Sequence, residues 1–285
     1  MLRLTPNGLY CAAGNFFIDP KGKVENAVVT HSHSDHARRG ASRYYTAASG
    51  VSLLKCRLGQ KIDVKGIPFG ESFSLGPVKL SFHPAGHILG SAQVRMEWGG
   101  EVWLASGDYK REPDPTAEPF EVVKADVFVT EATFGTSGYR WEKKGNMGQE
   151  ILAWWEKNRA EGYHSVVHAY SLGKTQRILG ELFGLANREV LCAPAATPLI
   201  ECYRQAGVNL APTRCWSELK EEDELEGELL LAPQSFLDSR VRRALGGRFR
   251  TAFASGWMAD GEGDYDHGFV MSDHADWEDL LRTIR

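Results

Sequence analysis

Residues 31 to 36 read His-Ser-His-Ser-Asp-His and follow the apolar run Ala27-Val28-Val29-Thr30. Four potential metal ligands therefore sit on what reads as the loop leaving a buried strand. Neutral imidazole and carboxylate together suit zinc, manganese or iron. His31 and His33, two residues apart, can face one ion. Asp35 and His36, just past the turn, can reach a second. A hydrolase with two ions uses them to polarise the scissile group and to activate water near neutral pH. An ordinary surface loop draws on Gly, Asn and Ser and has no use for three histidines at this density.

Two ions need more donors. His87 lies in His83-Pro84-Ala85-Gly86-His87-Ile88-Leu89-Gly90, a turn between two predicted strands, and Asp108 in Ser106-Gly107-Asp108-Tyr109, just past another. Loops at strand ends are where such sites gather. Asp108 is a natural bridging carboxylate. His83, ahead of a proline on a strand-like segment, is expected to be packed or at the surface. Asp19, after Phe16-Phe17-Ile18, is placed to accept a hydrogen bond from a ligand histidine and orient it. His274, in Ser272-Asp273-His274-Ala275-Asp276, is the last candidate.

The elements behind these loops change character along the chain. In the first half, short apolar runs (27–30, 78–82, 92–98, 102–105 and 127–130) are separated by Gly-rich turns, which predicts strands. In the second half, helical stretches (147–160, 174–186, 198–207, 235–245) alternate with strand-like ones (166–170, 190–193, 229–232, 251–254), which predicts a parallel sheet. The change falls in 136–145. The α/β part is read as inserted into a first domain that the C-terminus completes. The expected boundaries are 1–138, 139–256 and 257–285.

The 285 residues carry a formal net charge of -4 and 42% hydrophobic residues, enough for a substantial core. No apolar run approaches membrane-spanning length and no leader pattern is present, so a soluble cytoplasmic protein without a membrane partner is expected. The five cysteines are scattered without a CxxC pair and read as reduced core residues. Charge is uneven: Glu218 to Glu228 is acid-rich, whereas Arg240, Arg242, Arg243, Arg248 and Arg250 cluster. Local basic patches, not the overall sign, decide phosphate binding.

Asp19, the 31–36 motif, His87 and Asp108 resemble, in order and spacing, the metallo-β-lactamase superfamily. Thr130-Glu131-Ala132-Thr133-Phe134-Gly135, Ala169-Tyr170-Ser171-Leu172-Gly173-Lys174, Ser255-Gly256-Trp257 and Ser272-Asp273-His274-Ala275-Asp276 resemble its β-CASP nuclease branch, most of all the bacterial ligase-associated DNA exonucleases. The resemblance covers essentially the whole chain. It implies an α/β fold: an αββα metallo-β-lactamase sandwich with an inserted α/β β-CASP cap domain and the active site between them. It implies one ion on His31, His33 and His87, a second on Asp35, His36 and His274, and Asp108 bridging, with zinc or manganese as the two divalent ions. Asp35 would also be catalytic. Glu131 matches the family's acidic residue, and His267 would be a general acid oriented by it or, alternatively, a surface histidine. The family usually continues past the segment around His274 with a further strand and helix, whereas Arg285 stands eleven residues on.

For substrate, Tyr170 to Lys174 follows a strand and opens a helix. Helix-start amides, the Ser171 hydroxyl, the Gly173 backbone and the Lys174 ammonium form an anion site, unless Ser171 is a plain cap. The segment resembles the terminal-phosphate pocket of DNA-directed members, and Ser255 is grouped with it. Arg240 and Arg243 are candidates for the nucleic-acid backbone, or else a solvated helix face. Tyr139, Trp141 and Phe134 either stack on bases or belong to the core. The expectation is a metal-dependent DNA exonuclease acting from a 5′ end in repair, with a DNA ligase or helicase of the same pathway as partner. An RNA-processing nuclease of this fold and a non-catalytic nucleic-acid-binding scaffold are the alternatives.

Overall fold

The computed structural model describes residues 1–141, 145, 147–220, 223–261 and 263–285. Positions 142–144 of the expected junction, and Glu221 and Glu222 of the acidic run, lie outside the described residues. The chain divides into two compact units, Met1–Ser137 with His274–Arg285, and Gly138–Asp273.

The first unit contains two sheets. One orders its strands as they occur: β1 (Leu2–Thr5), β2 (Gly8–Cys11), β3 (Phe16–Ile18), β4 (Val24–Val28), β5 (Ala41–Ala47) and β6 (Val64–Ile67). β1 to β3 pair antiparallel, and β3 to β6 parallel. Helix α1 (Val51–Leu58) lies between β5 and β6. The other sheet is a meander of β7 (Ser72–Leu75), β8 (Val78–Pro84), β9 (Ala92–Trp98) and β10 (Glu101–Ala105), with β11 (Val127–Val129) added in parallel to β10.

Period-two alternation sets the packing of these strands. Along β9, Ala92, Val94 and Met96 turn inward while Arg95 and Glu97 turn outward. The inward set meets Phe16, Ile18, Val28, Tyr45 and Ala47 from the other sheet, so the two sheets share one core. Leu54 and Leu58 of α1 pack with Ala27, Val29 and Tyr44. Leu280, on helix α6 (Trp277–Ile284), packs with Ala85 and Tyr109. Strand ends and their loops are thereby pinned from both sides.

The second unit opens with α2 (Met147–Ala160) and holds one six-stranded sheet, all parallel: β12 (His164–His168), β13 (Val190–Cys192), β14 (Thr213–Cys215), β15 (Leu229–Ala232), β16 (Phe249–Ser255) and β17 (His267–Val270) in the order β14-β13-β15-β12-β16-β17. Helices α3 (Lys174–Glu181), α4 (Thr197–Gln205) and α5 (Ser239–Ala244) fall between its strands. Such a sheet, buried on both faces, explains the continuous Leu229-Leu230-Leu231-Ala232.

The second expected boundary moves. Residues 257–273 belong to this unit because β17 pairs with β16 and closes the sheet. α5 is shorter than expected, since Asp238 accepts from the amides of Arg240 and Val241 and starts the helix there. All five cysteines are free. Among the described residues no helix is long and apolar enough to cross a membrane.

Candidate metal centre

The 31–36 loop leaves β4 and folds back on itself, with the amides of His36 and Ala37 donating to the His33 carbonyl at 3.2 and 2.7 Å. This turn aims His31 and His33 together. His31 Nε2 and His33 Nδ1 are 3.1 Å apart, and His87 Nε2 stands 3.0 Å from the same His33 nitrogen. Asp108 Oδ2 lies 3.5, 3.4 and 3.8 Å from the Nε2 atoms of His31, His36 and His87. One donor atom each from His31, His33, His87 and Asp108 falls within 4.8 Å of the others. Asp108, Glu131 and His274 form a second such group.

Two glycines make this convergence sterically possible. Gly107 has φ +58, and a Cβ there would press on the Thr30 side chain at 2.7 Å. Gly86 has φ +75, and a Cβ would overlap the Lys110 carbonyl. Each lets the loop bearing the next ligand lie against a neighbouring backbone or side chain. Ser91 Oγ, accepting from the amides of His87 and Ile88, fixes the His87 turn.

Asp19 holds the first loop from behind. Its carboxylate accepts from the Thr30 amide at 2.8 Å, the Thr30 hydroxyl at 2.7 Å and His36 Nδ1 at 2.8 Å. Asp19 does so at φ +45, a left-handed conformation that non-glycine residues rarely adopt. The Thr30 hydroxyl also meets His31 Nδ1 at 3.1 Å. Thr30 and Ser91 were not singled out in the sequence, where each is one small polar residue at a strand or turn end.

Electrostatics follow from this crowding. Burial, and then the neighbouring His36, His87 and His33, hold His31 well below the ordinary imidazole range. Burial also pulls His36 down, but hydrogen bonds to Asp108 and Asp19 outweigh it and raise it to about 11. Burial pushes Asp108 up, yet His36 and the other imidazoles hold its carboxyl well below the usual carboxylate range. A neutral His31 beside an ionised Asp108 is the donor set that a divalent cation takes. Imidazole nitrogens held 3.0–3.1 Å apart also suit an ion whose bonds to nitrogen are ~2.0–2.1 Å. The residues present therefore fit a metal.

The second group is assembled around Asp108, with His36 Nε2 3.4 Å from its Oδ2. Neither Asp35 nor His36 belongs to the Asp108, Glu131 and His274 set. Asp35 is exposed, with Oδ2 3.6 Å from His36 Nε2. Glu131 pairs both carboxylate oxygens with His274 Nδ1 at 3.0–3.1 Å and accepts from the amide of Tyr109 and the hydroxyl of Thr133. The imidazole that Glu131 orients is His274. A carboxylate on Nδ1 leaves Nε2 for a metal. His267 instead stacks on Trp154 with ring centroids 5.9 Å apart. His83 bonds Ser81 and Glu121. Phe134 is buried against His274. Tyr139 packs on Trp141 and Trp257.

The expected anion site resolves differently again. Lys174 is buried, donates to the Met271 carbonyl at 2.6 Å and pairs with Asp273 at 2.9 Å. Its ammonium is drawn inward to the segment that follows β17. The Gly173 amide is taken by Gln176 Oε1, and the Ser171 carbonyl accepts from Gln176 Nε2. Ser255 caps the short turn behind it by accepting from the Trp257 amide. Arg242 lies over Phe249, and Arg250 over Tyr163. Arg240 and Arg243 are exposed.

No family model matches the chain. Among curated proteins, it is 30% identical over 285 residues to a probable DNA ligase of Opitutus terrae, covering 98% of this chain and 27% of the ligase. It is 28% identical over 200 residues to a ribonuclease of Thermus thermophilus, covering 61% of this chain and 46% of that enzyme. It is 30% identical over 118 residues to the cleavage and polyadenylation specificity factor 73 of Drosophila melanogaster, covering 41% and 17%. The chain thus spans less than half the length of each. A crystal structure of a protein of unknown function from Enterococcus faecalis V583 has a similar fold, with a TM-score of 0.57 at 12% identity over 91% of this chain and 72% of that one. With its ligand loops in place and these relatives beside it, the chain belongs to the β-CASP branch of the metallo-β-lactamase superfamily.

Proposed function

We propose that the chain is a two-metal nuclease that hydrolyses phosphodiester bonds in DNA, working as an exonuclease in repair. Residues 1–137 with 274–285 would form an αββα metallo-β-lactamase sandwich, and 138–273 the β-CASP cap. The observation that carries the reading is Asp108, a single carboxylate common to two groups of metal-type donors. When bound, two divalent ions supply Lewis-acid polarisation of the phosphate and activation of water near neutral pH. His31, His33, His87 and Asp108 would hold one, and Asp108 and His274 the other, with His36 beside them.

The remaining residues hold those donors still. Asp19 fixes the His36 ring through Nδ1, and Glu131 fixes His274 in the same way. Asp35, exposed beside His36 Nε2, would take a proton from water. Preference for DNA is supported by the probable DNA ligase, whose similarity runs along nearly all of this chain. A ligase or helicase partner belongs to the same proposal. The similarity to a ribonuclease of Thermus thermophilus favours a second reading, an RNA-processing nuclease.

End-labelled single- and double-stranded DNA and RNA, with and without a 5′ phosphate, assayed across zinc, manganese and magnesium, separate these readings. Metal-dependent shortening of DNA from a 5′ end is expected. Preferential RNA cleavage transfers the assignment to the second reading, and no cleavage of either polymer in any metal overturns both.

A further inference from the structure

We infer that a cleft in the first unit, beside the metal ligands, is a track for one unpaired strand of nucleic acid, with Lys21 and Arg38 holding its phosphates and Leu4 and Leu9 receiving a base. The inference rests on the nuclease reading and names where its substrate strand lies. The cavity measures about 430 Å³, and its lining includes His36, Asp108 and Glu131 together with Leu4, Gly8 and Leu9 of the β1–β2 hairpin. That is within the size of a small-ligand pocket, on the order of 300–1,000 Å³.

Three features select the occupant. Lys21 and Arg38 line the cleft, are exposed and, among the described residues, stand in no ion pair. Cations left over beside a phosphodiesterase centre complement a polyanion. Of the four acids in the lining, three are engaged, Asp19 by Thr30 and His36, Glu131 by His274 and Asp108 within the donor groups, while Asp35 is exposed beside His36.

The apolar feature is the hairpin. Leu4 and Leu9 are cross-strand partners, so their side chains share a face, and both line the cleft. Leu4 is 82% exposed, an apolar side chain without apolar cover. A duplex keeps its base faces stacked inside and offers little to this pair. A single strand offers phosphates to the cations and an unstacked base to the leucines.

The test measures binding apart from catalysis. Fluorescence anisotropy of a 3′-labelled phosphorothioate dT12 is titrated against zinc-loaded protein over a range of salt. Lys21→Met with Arg38→Gln changes two exposed side chains. It is expected to weaken binding about tenfold at low salt and to flatten the slope of log K against log salt by roughly 1.4, at ~0.7 per phosphate contact on a single strand. Leu4→Ser is expected to weaken dT12 binding about fivefold with the slope unchanged and to leave a blunt 12-base-pair duplex unaffected. An unaltered slope in the double variant, or an equal loss for the duplex with Leu4→Ser, overturns the track. Hydrolysis of bis(p-nitrophenyl) phosphate by the unaltered protein tests the phosphodiesterase reading separately: its absence overturns that reading, while the anisotropy still decides the cleft.

Discussion

Two loops in this molecule look alike as sequence and end differently as structure. The 31–36 loop and the 170–174 loop both leave a buried strand, and both carry polar residues suited to a ligand. In the first, like groups are brought together: three imidazole nitrogens crowd to 3.0–3.1 Å around His33, beside a carboxylate 3.5–3.8 Å from two of them. In the second, groups of opposite kind are brought together, and the Lys174 ammonium is consumed by Asp273 and a backbone carbonyl. Like groups repel and compete for protons, so a fold that gathers them has a third party to satisfy them. Complementary groups satisfy each other and need none. Complementarity within the protein is therefore the mark of a brace, and its lack the mark of a ligand site.

The sharpest way to break this contrast is Asp108→Ala. Protein loaded with zinc is expected to carry close to two equivalents, and the variant to lose metal from both groups together, with nuclease activity down on the order of 10³-fold or more. Metal analysis that still finds both equivalents, or activity near that of the unaltered protein, removes the bridge. Next in size is Lys174→Met, which leaves Asp273 buried without its lysine. Unfolding in urea is expected to show a loss of about 3–5 kcal/mol, and Lys174→Met with Asp273→Asn to recover most of it. A loss confined to 5′-phosphorylated substrate, with stability unchanged, would return Lys174 to the anion site.

A smaller effect is expected at Asp19→Asn, which weakens the acceptor behind His36. Metal affinity in competition with a chelator should fall ~10–100-fold, with the fold intact by circular dichroism. Unchanged affinity would mean that the Thr30 hydroxyl alone fixes the ring. Smallest is Arg243→Gln on α5: if this exposed arginine meets the nucleic-acid backbone, the salt slope of single-strand binding drops by about 0.7 and little else changes. An unchanged slope makes it a solvated helix face.

What the sequence made legible follows the same division. Metal-type ligands stood out because they crowd short loops at the ends of apolar runs, and local order suffices to find them. Strands β4, β8 to β11 and, in the parallel unit, β12, β13, β15 and β16 were readable from apolar runs. β1 and β2 were not, because their side chains are mostly exposed or half-buried and give no alternation. The fate of Lys174 depends on Met271 and Asp273, nearly a hundred residues away, and no local pattern encodes it. The partner of Glu131 is hidden for the same reason, since His274 is 143 residues distant. Thr30 could have been suspected only as a hydroxyl ending a buried strand between two ligand-bearing segments.

The placement of His274 has a consequence for biosynthesis. Asp108 and Glu131 are made early, but the histidine that joins them follows the whole parallel-sheet unit along the chain. Domains generally fold as they emerge from the ribosome, N-terminal part first. A nascent chain can thus assemble His31, His33, His87 and Asp108 while the second donor group still lacks its imidazole. On the proposed reading, the metal centre is completed only after the intervening unit has been translated, so an unfinished chain would lack it.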